Sequence, residues 1–199
     1  MRCVRERRSD LRPLRLGMAG ARGARNGGKA GDVKMNLYLD TEFDGHGGEL
    51  ISLALAADDG KHWYGVAPLN DGEVHNGWVR NNVLPHLYKE PCTVEADDGW
   101  RAFRTSLKEY LLARPGCTIW ADWPGDFGHL VDVMCGNDYA DSFMIPCTMQ
   151  LIVTPEGEPK PEIPHNALSD AIALMEWHQK NFPQTHRLHA DAETIVGEE

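Results

Sequence analysis

Asp40-Thr41-Glu42 places two carboxylates two residues apart inside Leu37–Phe43, a stretch whose alternation predicts a β-strand. Side chains alternate across a strand, so Asp40 and Glu42 share one face and Leu39, Thr41 and Phe43 the other. Two carboxylates held side by side repel each other. A divalent cation between them turns that repulsion into attraction, and Mg²⁺ favours hard oxygen ligands of this kind. The plainer alternative is a solvated strand edge carrying two surface acids.

A second acidic position lies far along the chain. Asp126 follows Trp123-Pro124-Gly125 at the head of a predicted helix, where a carboxylate either caps free backbone N–H groups or serves as a ligand at a strand end. Asp122, which ends the preceding strand, offers a second carboxylate for the same place; Asp126 is favoured, and the choice stays open. A third element is Pro164-His165-Asn166-Ala167-Leu168-Ser169-Asp170. Asn166 is a good N-cap, which puts His165 in the loop before a helix and Asp170 near its first turn. An imidazole exchanges a proton near neutral pH and suits general-base work toward water. Helix-end decoration by Asp170 beside a surface histidine is the alternative. The remaining histidines, His129 and His178 among them, show no ligand spacing, and those two read as helix-surface residues.

These groups need a scaffold to bring them together. After the first strand, Glu49–Ala57 reads as a second strand, and Asp58-Asp59-Gly60 turns the chain into a third at Lys61–Val66. Trp78–Leu87 predicts a short helix broken by Pro85, and Gly99–Ala113 a longer one stopped by Pro115-Gly116. A strand at Cys117–Asp122, a helix after Pro124-Gly125, a strand at Cys147–Val153, a Pro/Glu loop from Thr154 to Pro164 and a helix at Ala167–Lys180 complete the pattern. This order predicts an α/β protein, a mixed sheet flanked by helices.

Composition bounds the function. With 199 residues the chain suits one ordinary domain. Its apolar runs are too short to span a bilayer. Five scattered cysteines without a CxxC pair argue for reduced thiols in a cytoplasmic setting. Residues 1–34 hold ten Lys/Arg against three Asp/Glu, leaving ten basic and 27 acidic residues in the body. The first 34 residues have no strand or helix period and read as a basic disordered tail. It is a transit-like leader, a nucleic-acid arm or, as preferred here, an upstream extension of a chain whose translation starts at Met35. Residues 184–199 read as a polar tail. An acidic body counts against gripping long duplex through its phosphates, and less against an enzyme that holds few nucleotides and lets metal ions meet the phosphate charge.

The order and separation of these motifs resemble the DEDDh 3′–5′ exonuclease family, and most closely its small mycobacterial exoribonuclease-like group. Asp40-Thr41-Glu42 within YLDTEF is similar to the family's opening motif, Asp126 to its second, and His165-x4-Asp170 to its third. Trp78–Pro85 (WVRNNVLP) resembles a segment of the small group, and the likeness runs from about Asn36 to Lys180. The resemblance implies an RNase H-like mixed sheet, antiparallel in its first three strands and then parallel, over residues 35–183. It implies two Mg²⁺ or Mn²⁺ ions held by Asp40, Glu42, Asp126 and Asp170, with His165 as general base. The substrate so implied is the 3′ end of single-stranded RNA or DNA, RNA favoured, released as nucleoside 5′-monophosphates; by analogy with many relatives the chain is a homodimer. Thr41 and Phe43 stand where the family meets the terminal nucleotide, and Trp123 or Phe127 could stack a base. Two rivals remain: a phosphodiesterase for very short oligonucleotides or dinucleotides, and a catalytically silent nucleic-acid-binding module on the same fold.

Overall fold

Strand β1 (Asn36–Phe43) carries apolar side chains on both faces, with Leu37, Tyr38 and Leu39 all fully buried. A strand buried on both sides must lie inside a sheet that is covered on both sides. The computed structural model describes residues 35–69, 74, 76–136, 142–155 and 158–183, and in it β1 is the middle strand of five. The expected tails at 1–34 and 184–199 lie outside the described residues, as does the whole first unit of the chain, Met1–Gly31.

The other elements are β2 (Leu50–Ala57), β3 (Trp63–Val66), α1 (Gly77–Asn82), α2 (Gly99–Leu112), β4 (Thr118–Ala121), α3 (Pro124–Cys135), β5 (Thr148–Leu151) and α4 (Ala167–Asn181). The sheet runs β3-β2-β1-β4-β5, with β1 antiparallel to β2 and β2 to β3, while β4 runs parallel to β1 and β5 to β4. This is the expected mixed sheet, antiparallel in its first three strands and parallel after them. Between α1 and α2 the chain makes two 3-10 turns, at Leu84–His86, because Pro85 lacks the N–H that would extend α1, and at Ala96–Asp98.

Each face of the sheet has its own core. Leu37, Leu39, Leu53 and Leu55 pack on Phe103, Leu107 and Leu111 of α2 and on Leu130, Val133 and Met134 of α3. Tyr38, Ala54, Ala56 and Tyr64 pack on Val79 of α1 and on Leu168, Ala171 and Leu174 of α4. The even-numbered side chains of β1, Asp40 and Glu42 included, therefore face the α4 side. They stand on the central strand, so the alternative of a solvated edge does not apply.

His178, which reads in the sequence as a surface residue, is 2% exposed. Its Nδ1 lies 2.8 Å from the Tyr38 hydroxyl and its ring stacks at 4.5 Å on Trp120, pinning α4 to β1 and β4. The helical period itself carries it inward, since Leu168, Ala171, Leu174 and His178 recur at offsets of three and four along the buried face of α4. His129 is also half-buried, its ring 4.8 Å from that of Phe43. Among the described residues Cys92, Cys117, Cys135 and Cys147 are free thiols, and no helix is long and apolar enough to cross a membrane.

Candidate active site

β1 and β4 pair only from Asn36↔Thr118 to Tyr38↔Trp120. Beyond that point β1 continues without β4, and a bulge at Glu42/Phe43 bends it against β2. A cavity of about 410 Å³ opens there, outside the carboxyl ends of two parallel strands, where α/β sheets collect ligands. Its walls carry Asp40, Glu42, Asp122, Asp126, Asp170, Glu158 and His165. Residues from β1, from the β4–α3 corner and from the head of α4 thus meet in one cleft, although 130 positions separate Asp40 from Asp170.

Each acid is held by local structure. Asp126 sits in the first turn of α3, 1% exposed, and its Oδ1 accepts a 2.7 Å hydrogen bond from the Thr41 hydroxyl. It also takes backbone N–H from Thr41 and from Trp123, the N-cap residue of α3. Helix cap and site carboxylate are alternatives in the sequence; the geometry lets one side chain be both. Its Oδ2 is buried with no hydrogen-bond partner. Asp170, one turn into α4, reaches back to the backbone N–H groups of His165 and Asn166. Asn166 caps α4 through the Ser169 N–H at 3.1 Å, while its side-chain amide donates to the His86 carbonyl at 2.8 Å. That tie fastens the head of α4 to the turn after α1.

His165 stands in the loop just ahead, with φ +61°, a backbone conformation that costs a non-glycine residue energy and gathers at functional sites. Its exposed imidazole meets the ring of Trp78 edge-on, centroids 4.9 Å apart. Trp78 is 54% exposed, an unusual position for an indole, and α1 that carries it is capped by Asn76, whose own N–H donates to Asp44 at 2.8 Å. The contact between Trp78 and His165 has no signal in the sequence, because 87 residues separate them.

Electrostatics defines what the cleft can hold. Carboxylate oxygens of Asp40, Asp122 and Asp126 lie within 4.8 Å of one another, and so do those of Asp40, Glu42 and Asp170. Asp40 belongs to both groups. Burial, and then the charges of Asp126, Asp170, Glu42 and Asp122, push the Asp40 carboxyl well above its ordinary range. Burial followed by the charges of Asp170 and Asp126 raises Glu42 to about 8. Burial likewise raises Asp126 and Asp170 to about 7, against the opposing hydrogen bonds from Thr41 and from the head of α4, and it raises Asp122. Among the described residues no Lys or Arg lines the cavity. Such a cluster holds protons or takes up cations; hard divalent ions fit the all-oxygen set and the orphaned Asp126 Oδ2.

The remaining candidates divide. Thr41 is buried and spends its hydroxyl on Asp126. Phe43 and Trp123 line the cavity, and Trp123 is 55% exposed. Its indole folds across the start of α3, where a Cβ at Gly125 would come within 2.7 Å of Nε1. Phe127, one residue past Asp126 and so turned by about 100° around α3, packs against the core under the helix instead of lining the cleft. Glu158, Pro159 and Pro161 form a wall of the cleft that the sequence announces only as loop.

No family model matches the chain. Two curated proteins from strains of Mycobacterium tuberculosis, each named 3′-5′ exoribonuclease, are 32% identical to it over 155 residues. The match covers 69% of this chain and 87% of each relative. With that identity over most of the relatives' length, the chain belongs to their 3′–5′ exonuclease family and is an exonuclease-class enzyme.

Proposed function

We propose that the protein is a metal-dependent DEDDh 3′–5′ exonuclease that shortens single-stranded nucleic acid, RNA in preference to DNA, and releases nucleoside 5′-monophosphates. The observation that carries this reading is the sharing of Asp40 between two groups of carboxylates. Asp40, Glu42 and Asp170 would hold one Mg²⁺ or Mn²⁺ and Asp40 with Asp126 a second; Asp122 stands close enough to join or replace Asp126. Ions bound there supply the positive charge that phosphate and leaving oxygen require.

The chain's own residues do the rest. Thr41 fixes the rotamer of Asp126 and leaves its other oxygen unbonded. The backbone of His165 and Asn166 fixes Asp170. His165 takes the proton of the attacking water at one ring nitrogen, and the Trp78 edge restricts how that ring turns. Phe43 and Trp123 present rings to the terminal bases, and stacking tolerates any sequence. The preference for RNA follows the names of the relatives, since discrimination depends on contacts to the 2′-hydroxyl.

Incubation with Mn²⁺ and a 5′-labelled single strand tests the proposal. A ladder receding from the 3′ end supports it. Cleavage confined to two- to five-mers would transfer the site to a short-oligonucleotide phosphodiesterase, and a retarded but intact strand would make the protein a binder.

A further inference from the structure

From residue 35 onward the chain has only ten Lys and Arg. Three of them, Arg101, Arg104 and Lys108, line one groove of about 550 Å³ together with Trp100, Thr105 and Phe143. Offsets of three, four and seven residues set the three cations in a row along α2. Arg104 has a structural role, because its Nε donates to the Val133 carbonyl at 2.8 Å, in the last turn of α3. Gly136 makes room for it, with φ +63° and a position where a Cβ would lie 2.5 Å from the guanidinium. That role does not account for Arg101 and Lys108. Both are exposed, and neither has a carboxylate partner among the described residues. Lys108 lies 6.0 Å from the centroid of the Phe143 ring, and Trp100 is held half-buried against Phe103.

The groove adjoins the carboxyl end of α3, whereas Asp126 stands at its amino end. Along α3, Val133 lies seven residues beyond Asp126, which separates the two by about 10 Å. The carboxylate cleft, with no Lys or Arg among its described lining, does nothing to attract a polyanion until cations fill it. Positive charge elsewhere on the body adds to the capture of a strand beyond the residues the bound cations serve.

We propose that this α2 groove binds the phosphates of the 5′-ward part of a single-stranded nucleic acid whose 3′ end lies in the carboxylate cleft, with Trp100 available to stack a base. A row of cations beside an aromatic ring is the combination that tracks single strands without reading their sequence. The class of ligand rests on the exonuclease reading, but the groove is tested by binding alone.

The experiment compares the full-length protein with Arg101→Glu/Lys108→Glu, using fluorescence anisotropy on a single-stranded RNA of about 20 nucleotides in EDTA, where cleavage is arrested. The affinity of the variant is expected to fall at least tenfold. Its plot of log K against log salt should be shallower by about 1.4, two phosphate contacts at about 0.7 each. Arg101→Gln/Lys108→Gln should fall in the same direction by less. Lys89→Glu/Lys180→Glu makes the same change of net charge elsewhere and should bind more tightly than the groove variant. Wild-type affinity in the groove variant, or an equal loss in the Lys89/Lys180 control, overturns the proposal. If the wild type binds but yields no 3′ ladder with Mn²⁺, the exonuclease reading falls, and a loss confined to the groove variant still upholds the groove.

Discussion

His165→Ala removes the imidazole and leaves the five carboxylates and their backbone supports in place. Turnover is expected to fall by about 10²-fold or more, as for loss of a general base, while Mn²⁺ binding measured by calorimetry stays near the wild-type value. Equal turnover would take His165 out of the reaction. The rival carboxylates of the β4–α3 corner differ in a way that can be measured. Asp126 is buried, tied to Thr41 and left with one free oxygen, whereas Asp122 is only half-buried. Asp126→Asn should therefore cost at least tenfold more kcat than Asp122→Asn, a gap of about 1.4 kcal/mol in the barrier. Equal losses would mean that both acids meet the cation.

At the scale of elements, the site depends on the head of α4 staying docked against the turn that follows α1. Asn166 makes that joint. It is fully buried, its oxygen caps α4, and its amide bonds to the His86 carbonyl. Asn166→Ala removes a cap and leaves a half-buried carbonyl without its donor, which should cost about 2 kcal/mol in urea denaturation. Because His165 and Asp170 flank the joint, activity should fall further than the fraction of folded protein does. A variant with lower stability but undiminished kcat would show that the loop keeps its shape by other means.

For the molecule as a whole, the acidic cluster couples stability to pH and to cations. Glu42, Asp126 and Asp170 hold their protons up to about 8, 7 and 7, above the range of the unfolded chain. The folded state then binds more protons than the unfolded state between those limits, and stability declines as pH rises through them. His62 and His129, lowered by burial, act oppositely at more acid pH, so the decline is clearest above the ordinary histidine range. The metal-stripped protein should thus show a lower Tm at about pH 8.5 than at about pH 6.5. Mn²⁺ should raise Tm more at the higher pH, where it no longer competes with protons. A flat profile, or equal stabilisation at both pH values, would count against cations within the cluster.

What was legible in the sequence was whatever depends on near neighbours along the chain. The period-2 run at Leu37–Phe43 puts Asp40 and Glu42 on one face, and Asn166 marks the start of α4. Strand and helix order follow from the same local patterns, and the resemblance of three short motifs joined distant acids into one hypothesis. Tertiary structure alone decided the rest. That β1 is central, that Thr41 is turned onto Asp126 and that Trp78 meets His165 all depend on pairings across tens of residues, which leave no periodic trace. The row of Arg101, Arg104 and Lys108 likewise emerges only from the packing of α2 on α3, which engages Arg104 with the Val133 carbonyl. Local propensity chooses elements; the side chains that do chemistry are brought together by the way those elements bury their apolar faces.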